Sequence, residues 1–463
     1  MKWLILMGLV GFLFACSTDE PNSMASDDVA TDDGVSDEDV AEFQGTLKWL
    51  HTFGGSDIDE AVDVVVTLDG AFMILATTHS SDGDISGRVG NDADYWLLKL
   101  NDIGELLWER SYGGSEDDRA TSINATSDGG FVISGYSRSN DGDVTSNEGF
   151  YDYWIVKIDA GGTIIWEQNF GFSGNDQAFK VFETQDGGFF ATGFLDVSAS
   201  AGAGNDFQTS SPSASKATLH GVGEFWAVRM DAEGNKLWRR YFGGTDNDRS
   251  YDALQTQDGG FLLVGASESD DFDIIDSKGS YDLWVVRLEP NGDLLWTRSF
   301  GGSQIDIGFA VIEDGNGDYL IVGDSRSADQ DISNPKGNAD AWVVKFDDQG
   351  NKIWERSYGG PEFDSARDII RLNNGDLALT GNSRSASGDL SNNNGQNDAW
   401  IFVVTNDGTL RKQVSVGGSS LDLATALAET DQQEIIIVGN TESNDGDINE
   451  QKGQKDLLIA LFN

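Results

Sequence analysis

The chain reads as an all-β protein, a seven-bladed β-propeller with four-stranded blades, closed by its own N-terminal strand. Three features predict this. First, a glycine-led motif, GG-S-x-x-D in its commonest form, begins at Gly54, Gly113, Gly171, Gly243, Gly301, Gly359 and Gly417 and ends at Asp59, Asp118, Asp176, Asp248, Asp306, Asp364 and Asp422. The steps are 59, 58, 72, 58, 58 and 58 residues, and a fixed period of that size marks a repeat architecture. Second, each period holds four short runs of β-branched and aromatic residues cut by Gly/Asp turns, with no helical periodicity. Third, the ends complement each other. The chain stops after the third run of the last repeat, Leu457 to Phe462, while Thr46 to Phe53 is an unattached fourth run. Pairing the two closes the ring and removes open sheet edges.

The elements follow in order. Residues 1–15 read as an export signal: Lys2 precedes an apolar run too short to span a bilayer, ending at Leu13-Phe14-Ala15-Cys16. Cys16 is the only cysteine, so no disulfide forms within the chain. Residues 16–44 read as a disordered tether, because Ser17 to Phe43 holds ten Asp or Glu and no Lys or Arg. Residues 45–463 form the propeller. Within a repeat, strand A follows the glycine turn (Arg119 to Thr126), and Asp128-Gly129-Gly130 turns the chain into strand B (Phe131 to Gly135). A polar loop leads to strand C (Tyr153 to Ile158), and Asp159 to Gly162 turns into strand D (Ile164 to Trp166).

A small residue recurs in strand A: Ala61, Ala120, Ala178, Ser250, Gly308, Ala366 and Ala424. Blades converge at the axis, so strand A is expected innermost with these residues facing it. Strand D carries Trp49, Trp108, Trp166, Trp238, Trp296 and Trp354, and strand C carries Trp96, Trp154, Trp226, Trp284, Trp342 and Trp400. Repeated at every blade, such rings are expected to fill the widening space between blades rather than to bind sugars. Lys412 and Leu458 stand in the corresponding places of the last repeat, the expected weak closing blade.

Charge limits the partners. The 79 acidic and 30 basic residues give a formal net charge of −49, which excludes nucleic-acid binding through a basic surface. Strands alternate in direction, so the D-to-A glycine turns and the long B-to-C loops share one face. The loops carry the pairs Asp82 and Asp84, Asp141 and Asp143, Asp271 and Asp273, Asp329 and Asp331, and Asp445 and Asp447, while the sixth keeps only Asp389. A further acid precedes strand C: Asp94, Asp152, Glu224, Asp282, Asp340, Asp398 and Asp456. Asp-x-Asp in a glycine-containing loop followed by a later carboxylate is oxygen-ligand chemistry suited to Ca²⁺. The same residues are also good turn formers whose side chains bond nearby backbone amides. The third B-to-C loop, 196–223, carries 14 extra residues, loses the pair, and contains Phe207 and His220. It reads as a disordered insertion or a binding loop.

Catalytic signals are sparse. His51, His79 and His220 occupy non-equivalent places, and neither HExxH nor GxSxG occurs. A glycosidase needs only two carboxylates at the right separation, and the repeated acids supply candidates without singling out a pair.

Leu13-Phe14-Ala15-Cys16 resembles the lipobox of bacterial lipoproteins, which implies lipidation of Cys16 and anchoring to a membrane. Ser17-Thr18-Asp19-Glu20 resembles the acidic export tag of surface lipoproteins in Bacteroidetes-type bacteria, which implies the outer membrane or cell surface. The hairpin Lys157 to Trp166 resembles the tryptophan-docking repeat of quinoprotein propellers. The whole of 45–463 more closely resembles the propeller repeats of Bacteroidetes-type surface proteins, loosely bulb-lectin-like. The expected function is a monomeric, non-catalytic surface scaffold whose acidic face binds a glycan or protein, assisted by calcium. The alternatives are a glycoside hydrolase and a passive envelope component.

Overall fold

Seven four-stranded antiparallel sheets account for all 28 strands of the computed structural model, which describes residues 42–88, 90, 92–206 and 220–463. The predicted signal segment, most of the tether including Cys16, and Phe207 lie outside the described residues. Six sheets are consecutive in sequence, beginning with Asp59–Val66, Phe72–Thr78, Asp94–Leu100 and Leu106–Tyr112. The seventh takes Asp422–Glu429, Ile435–Thr441 and Asp456–Phe462 from the C-terminus and Leu47–Phe53 from the N-terminus. Leu47 pairs with Phe462 and Phe53 with Leu457, as the complementary ends predict. Gln44 and Thr46 extend the seam through N–H bonds to the Asn463 carbonyl at 3.0 and 3.3 Å, and Phe43 packs edge-on to Phe462.

Burial follows position in the blade. Most B and C strands are buried on both faces, as expected for strands sandwiched between neighbouring blades. The C-strand tryptophans Trp96, Trp154, Trp226, Trp284, Trp342 and Trp400 are fully buried in the inter-blade clusters. Strand D is the outer edge, where all its tryptophans but the buried Trp238 are only partly covered.

Strand A is innermost, but its small residues do not face the axis. A β-bulge follows each of them, so the pairing skips one residue: Val62, Thr121, Phe179, Tyr251, Phe309, Arg367 and Thr425. The bulge turns the skipped side chain and its successor toward the axis and points the small residue into the neighbouring blade. A Cβ on Gly308 would lie 2.9 Å from Leu283 of the preceding blade. The close approach is between blades, and the axis carries larger and more varied side chains.

Candidate functional site: the acidic face and the axial cavity

The motif aspartate anchors the glycine turn. Asp118 accepts the Gly114 N–H at 2.7 Å and the Ser139 hydroxyl at 2.8 Å. The same pair of bonds recurs at Asp59, Asp248, Asp306, Asp364 and Asp422. In the third copy Phe172 replaces the second glycine, and Asp176 takes its N–H at 2.8 Å.

The predicted Asp-x-Asp residues converge on these turns. The first aspartate of each pair accepts the N–H of the residue after the second glycine position. Asp141 takes Ser115 at 2.8 Å, Asp82 takes Ser56 at 2.7 Å, Asp271 takes Thr245 at 2.9 Å, Asp329 takes Ser303 at 2.8 Å and Asp445 takes Ser419 at 2.7 Å. The second aspartate accepts the N–H of the first glycine. Asp84 takes Gly54 at 3.0 Å, and Asp143, Asp273, Asp331 and Asp447 take Gly113, Gly243, Gly301 and Gly417, each at 3.2 Å. Each pair thus supplies acceptors to amides that a tight turn leaves unpaired. The next residue pins the loop, since Ile85, Val144, Ile274, Ile332, Leu390 and Ile448 are all buried. At some pairs a lysine from the preceding blade already supplies a cation: Lys452 at Asp84, and Lys278 (3.4 Å) at Asp331. The sequence expectation made Asp82, Asp84, Asp141, Asp143, Asp271, Asp273, Asp329, Asp331, Asp445 and Asp447 calcium ligands. The structure gives each of them a turn amide, and a carboxylate that accepts one N–H keeps further lone pairs. Among the described residues no group of three or more His, Cys, Asp or Glu is disposed to hold a metal ion.

The acid before strand C meets the motif aspartate of the next blade. Seven carboxyl pairs result: Asp94 with Asp118, Asp152 with Asp176, Glu224 with Asp248, Asp282 with Asp306, Asp340 with Asp364, Asp398 with Asp422 and Asp456 with Asp59. In Asp152, Asp282, Asp340 and Asp398 one oxygen accepts a backbone N–H and the other is buried without a partner. Burial pushes Asp152, Asp340 and Asp398 up to about 6 and Asp176 up to about 7. Burial at these junctions therefore favours the protonated form of one carboxyl as pH falls toward 6.

Blade two breaks the symmetry of this face. Its loop ends in Gly149-Phe150-Tyr151, and Phe150 is 53% exposed although large and apolar. The Arg138 guanidinium lies 4.5 Å above its ring, and Tyr151 packs edge-on at 4.8 Å. Arg138 is oriented by Glu116 at 3.6 Å. With Ser115, Asn140, Asp141 and Gly149, the residues Phe150, Arg138 and Glu116 line a depression of about 360 Å³. At the matching place the other blades carry Asp92, Val222, Ser280, Asn338, Gln396 and Gln454. Aligning the repeats against one another is the signal that finds Phe150.

The axis holds a second asymmetric group, in a cavity of about 110 Å³. Phe179, Tyr251 and Phe309 form a wall with successive ring centroids 5.4 Å apart, and Arg367 stacks on Phe309 at 3.9 Å. Thr425, Val62 and Thr121 complete the ring with smaller side chains. One residue further on lie Asp63, Lys180, Asp252 and Asp368. Each aspartate accepts the N–H of its own successor and of the next blade: Val64 and Ile123, Ala253 and Val311, Ile369 and Leu427. Lys180 lies 3.5 Å from Asp252. Burial alone would lower its pKa, but Asp252, Asp63 and Asp368 outweigh it and raise the ammonium.

No family model matches the chain. Over 203 residues, 40% of its length, it is 27% identical to the regulatory protein FlaEY of Caulobacter vibrioides. That match spans only 20% of the relative's own length. Similar solved structures include a protein of unknown function from Bacteroides caccae, at TM-score 0.40 and 14% identity, covering 69% of this chain and 90% of that one. Another protein of unknown function, from Dyadobacter fermentans, has TM-score 0.40 and 12% identity, covering 90% and 98%. A puromycin hydrolase has TM-score 0.44 and 11% identity, covering 82% and 50%. None of these likenesses brings a ligand or a reaction to this chain.

Proposed function

We propose that this protein is a non-catalytic binding scaffold, lipid-anchored through Cys16 at the outer membrane or cell surface, whose acidic face holds a glycan at the Phe150 depression of blade two. The observation that supports this reading is the pairing of an exposed aromatic ring with convergent polar groups at one blade only. A sugar offers C–H groups on one side and hydroxyls around its rim. Phe150 suits the first, and Glu116, Asn140, Asp141 and Arg138 suit the second.

Calcium enters this reading at Asp141 and Asp143, where no lysine bond or ion pair is formed among the described residues. The test is a glycan and polysaccharide array in millimolar calcium, comparing the native protein with Phe150→Ala. The expected outcome is binding to a defined glycan class that falls at least tenfold in the variant. An empty array for the native protein removes the glycan and moves the weight to a protein partner on the same face.

A further inference from the structure

We infer that the mouth of the axial cavity binds an oxyanion, a carboxylate or sulfate group, through Arg367 and Arg249 beside the aromatic wall. This site is separate from the Phe150 depression and does not rest on the glycan reading.

In a chain with 79 acidic and 30 basic residues most of the described cations have an acidic partner, and a minority, mainly arginines, do not. Neighbouring cations follow the common pattern: Arg119 pairs with Asp117, Arg138 with Glu116 and Lys455 with Glu60. Arg249, Arg326 and Arg367 form no ion pair within 4 Å among the described residues. They belong to adjacent blades and sit together. Arg249 and Arg367 both act on the Tyr251 phenol, and Arg367 and Arg326 both act on Asp324. Their ring contacts form one chain. Arg249 lies 4.8 Å over Phe194, Phe194 is 6.0 Å from Phe179, and Phe179, Tyr251 and Phe309 lead to Arg367.

Stacking occupies the face of a guanidinium and leaves its in-plane N–H donors to be satisfied. For the half-buried Arg367 no hydrogen bond to another group is formed among the described residues. The carboxylate that acts on it through space, Asp324, accepts the Ser365 hydroxyl at 3.0 Å. A planar donor fork over an aromatic wall suits bidentate recognition of an oxyanion. The deeper acids turn their oxygens to backbone N–H groups, and Lys180 among them offsets part of their charge. A cavity of about 110 Å³ has room for a sulfate or an inserted carboxylate.

The test is calorimetry and thermal shift on the full chain at low ionic strength. Sodium sulfate and sodium glucuronate are the probes, with sodium chloride at matched ionic strength and glucose as controls. Saturable stabilisation is expected from at least one oxyanion and from neither control. Sulfate alone points to a free inorganic anion, glucuronate alone to a sugar acid, and either supports the site. Arg249→Gln, an exposed position that keeps the fold, should weaken binding about tenfold, and Arg367→Met should abolish it. Should Arg367→Met not fold, Tyr251→Phe with Arg249→Gln reads the same site. Phe150→Ala should leave the anion response unchanged, so this proposal and the glycan proposal fail separately. No saturable response to either anion, or an undiminished response in Arg249→Gln, overturns the inference.

Discussion

At the residue scale, the seven inter-blade carboxyl pairs make stability depend on pH. A carboxyl whose pKa is raised on folding binds its proton more tightly in the native state. Its stabilising contribution is complete below the ordinary carboxylate value and is lost as pH rises through the folded value. Asp94, Asp152, Asp340 and Asp398 are pushed up to about 6 by burial, and Asp176 to about 7. The propeller is therefore expected to unfold at a higher urea concentration at pH 5 than at pH 8, with the slope between pH 5 and 7.5. Asp152→Asn should flatten that slope. Its amide still accepts the Glu148 N–H, now made to Asp152 at 2.6 Å, and can donate to Asp176. At pH 8 the variant should gain roughly 1–2 kcal/mol, because each pKa unit corresponds to about 1.4 kcal/mol. A native protein equally stable at both pH values would refute the shared-proton reading.

At the element scale, the glycine turn and the Asp-x-Asp loop are one device. Removing both acceptors with Asp141→Ala and Asp143→Ala leaves the exposed amides of Ser115 and Gly113 to water and, at about 0.5–1.5 kcal/mol net for each bond, should cost about 1–3 kcal/mol. The double Asn variant keeps both acceptors and should cost less than about 1 kcal/mol. It also separates the turn role from calcium. One calcium site fewer by calorimetry in the Asn variant would assign the ion to blade two, whereas an unchanged stoichiometry takes calcium out of that loop. The loop's position was legible in the sequence, since the recurring Asp-Gly-Asp and the strand count put it beside the glycine turn. What its carboxylates bond was not legible, because an amide-capping loop and a cation loop share composition. Asp273 and Asp447 illustrate this, each read as a ligand and each found on the N–H of a motif glycine. The axis shows the same limit. Strand A was recognisable as innermost, but the bulge after Ala61 or Ala178 leaves no mark in residue type, so the small residue was aimed one position wrong. Phe179, Tyr251, Phe309 and Arg367 stayed hidden for that reason.

At the scale of the whole molecule, one strand closes the ring. Leu47–Phe53 supplies the outer edge of the last blade, and Phe53 and Trp49 pack into the cluster that joins it to blade one. The same strand holds the last blade through Lys48 with Glu434 and through the Thr52 hydroxyl on the Glu450 carbonyl at 2.8 Å. Losing a buried Phe or Trp side chain ordinarily costs about 3–5 kcal/mol, and a whole domain commonly has a margin of about 5–15 kcal/mol. Deleting residues 45–53 should therefore leave little of that margin. It would also expose Asp456–Phe462 as an unpaired edge, and insolubility or a steeply lowered melting temperature is the expected result. Because the edge is a strand template, a synthetic peptide of residues 44–54 should restore solubility when added during refolding. A peptide with Trp49 and Phe53 replaced by Ala should not, since it keeps the backbone bonds but loses the packing. A deletion variant that stays soluble with an unchanged melting temperature would mean that the three remaining strands complete the blade by themselves, and that the clasp contributes nothing to closure.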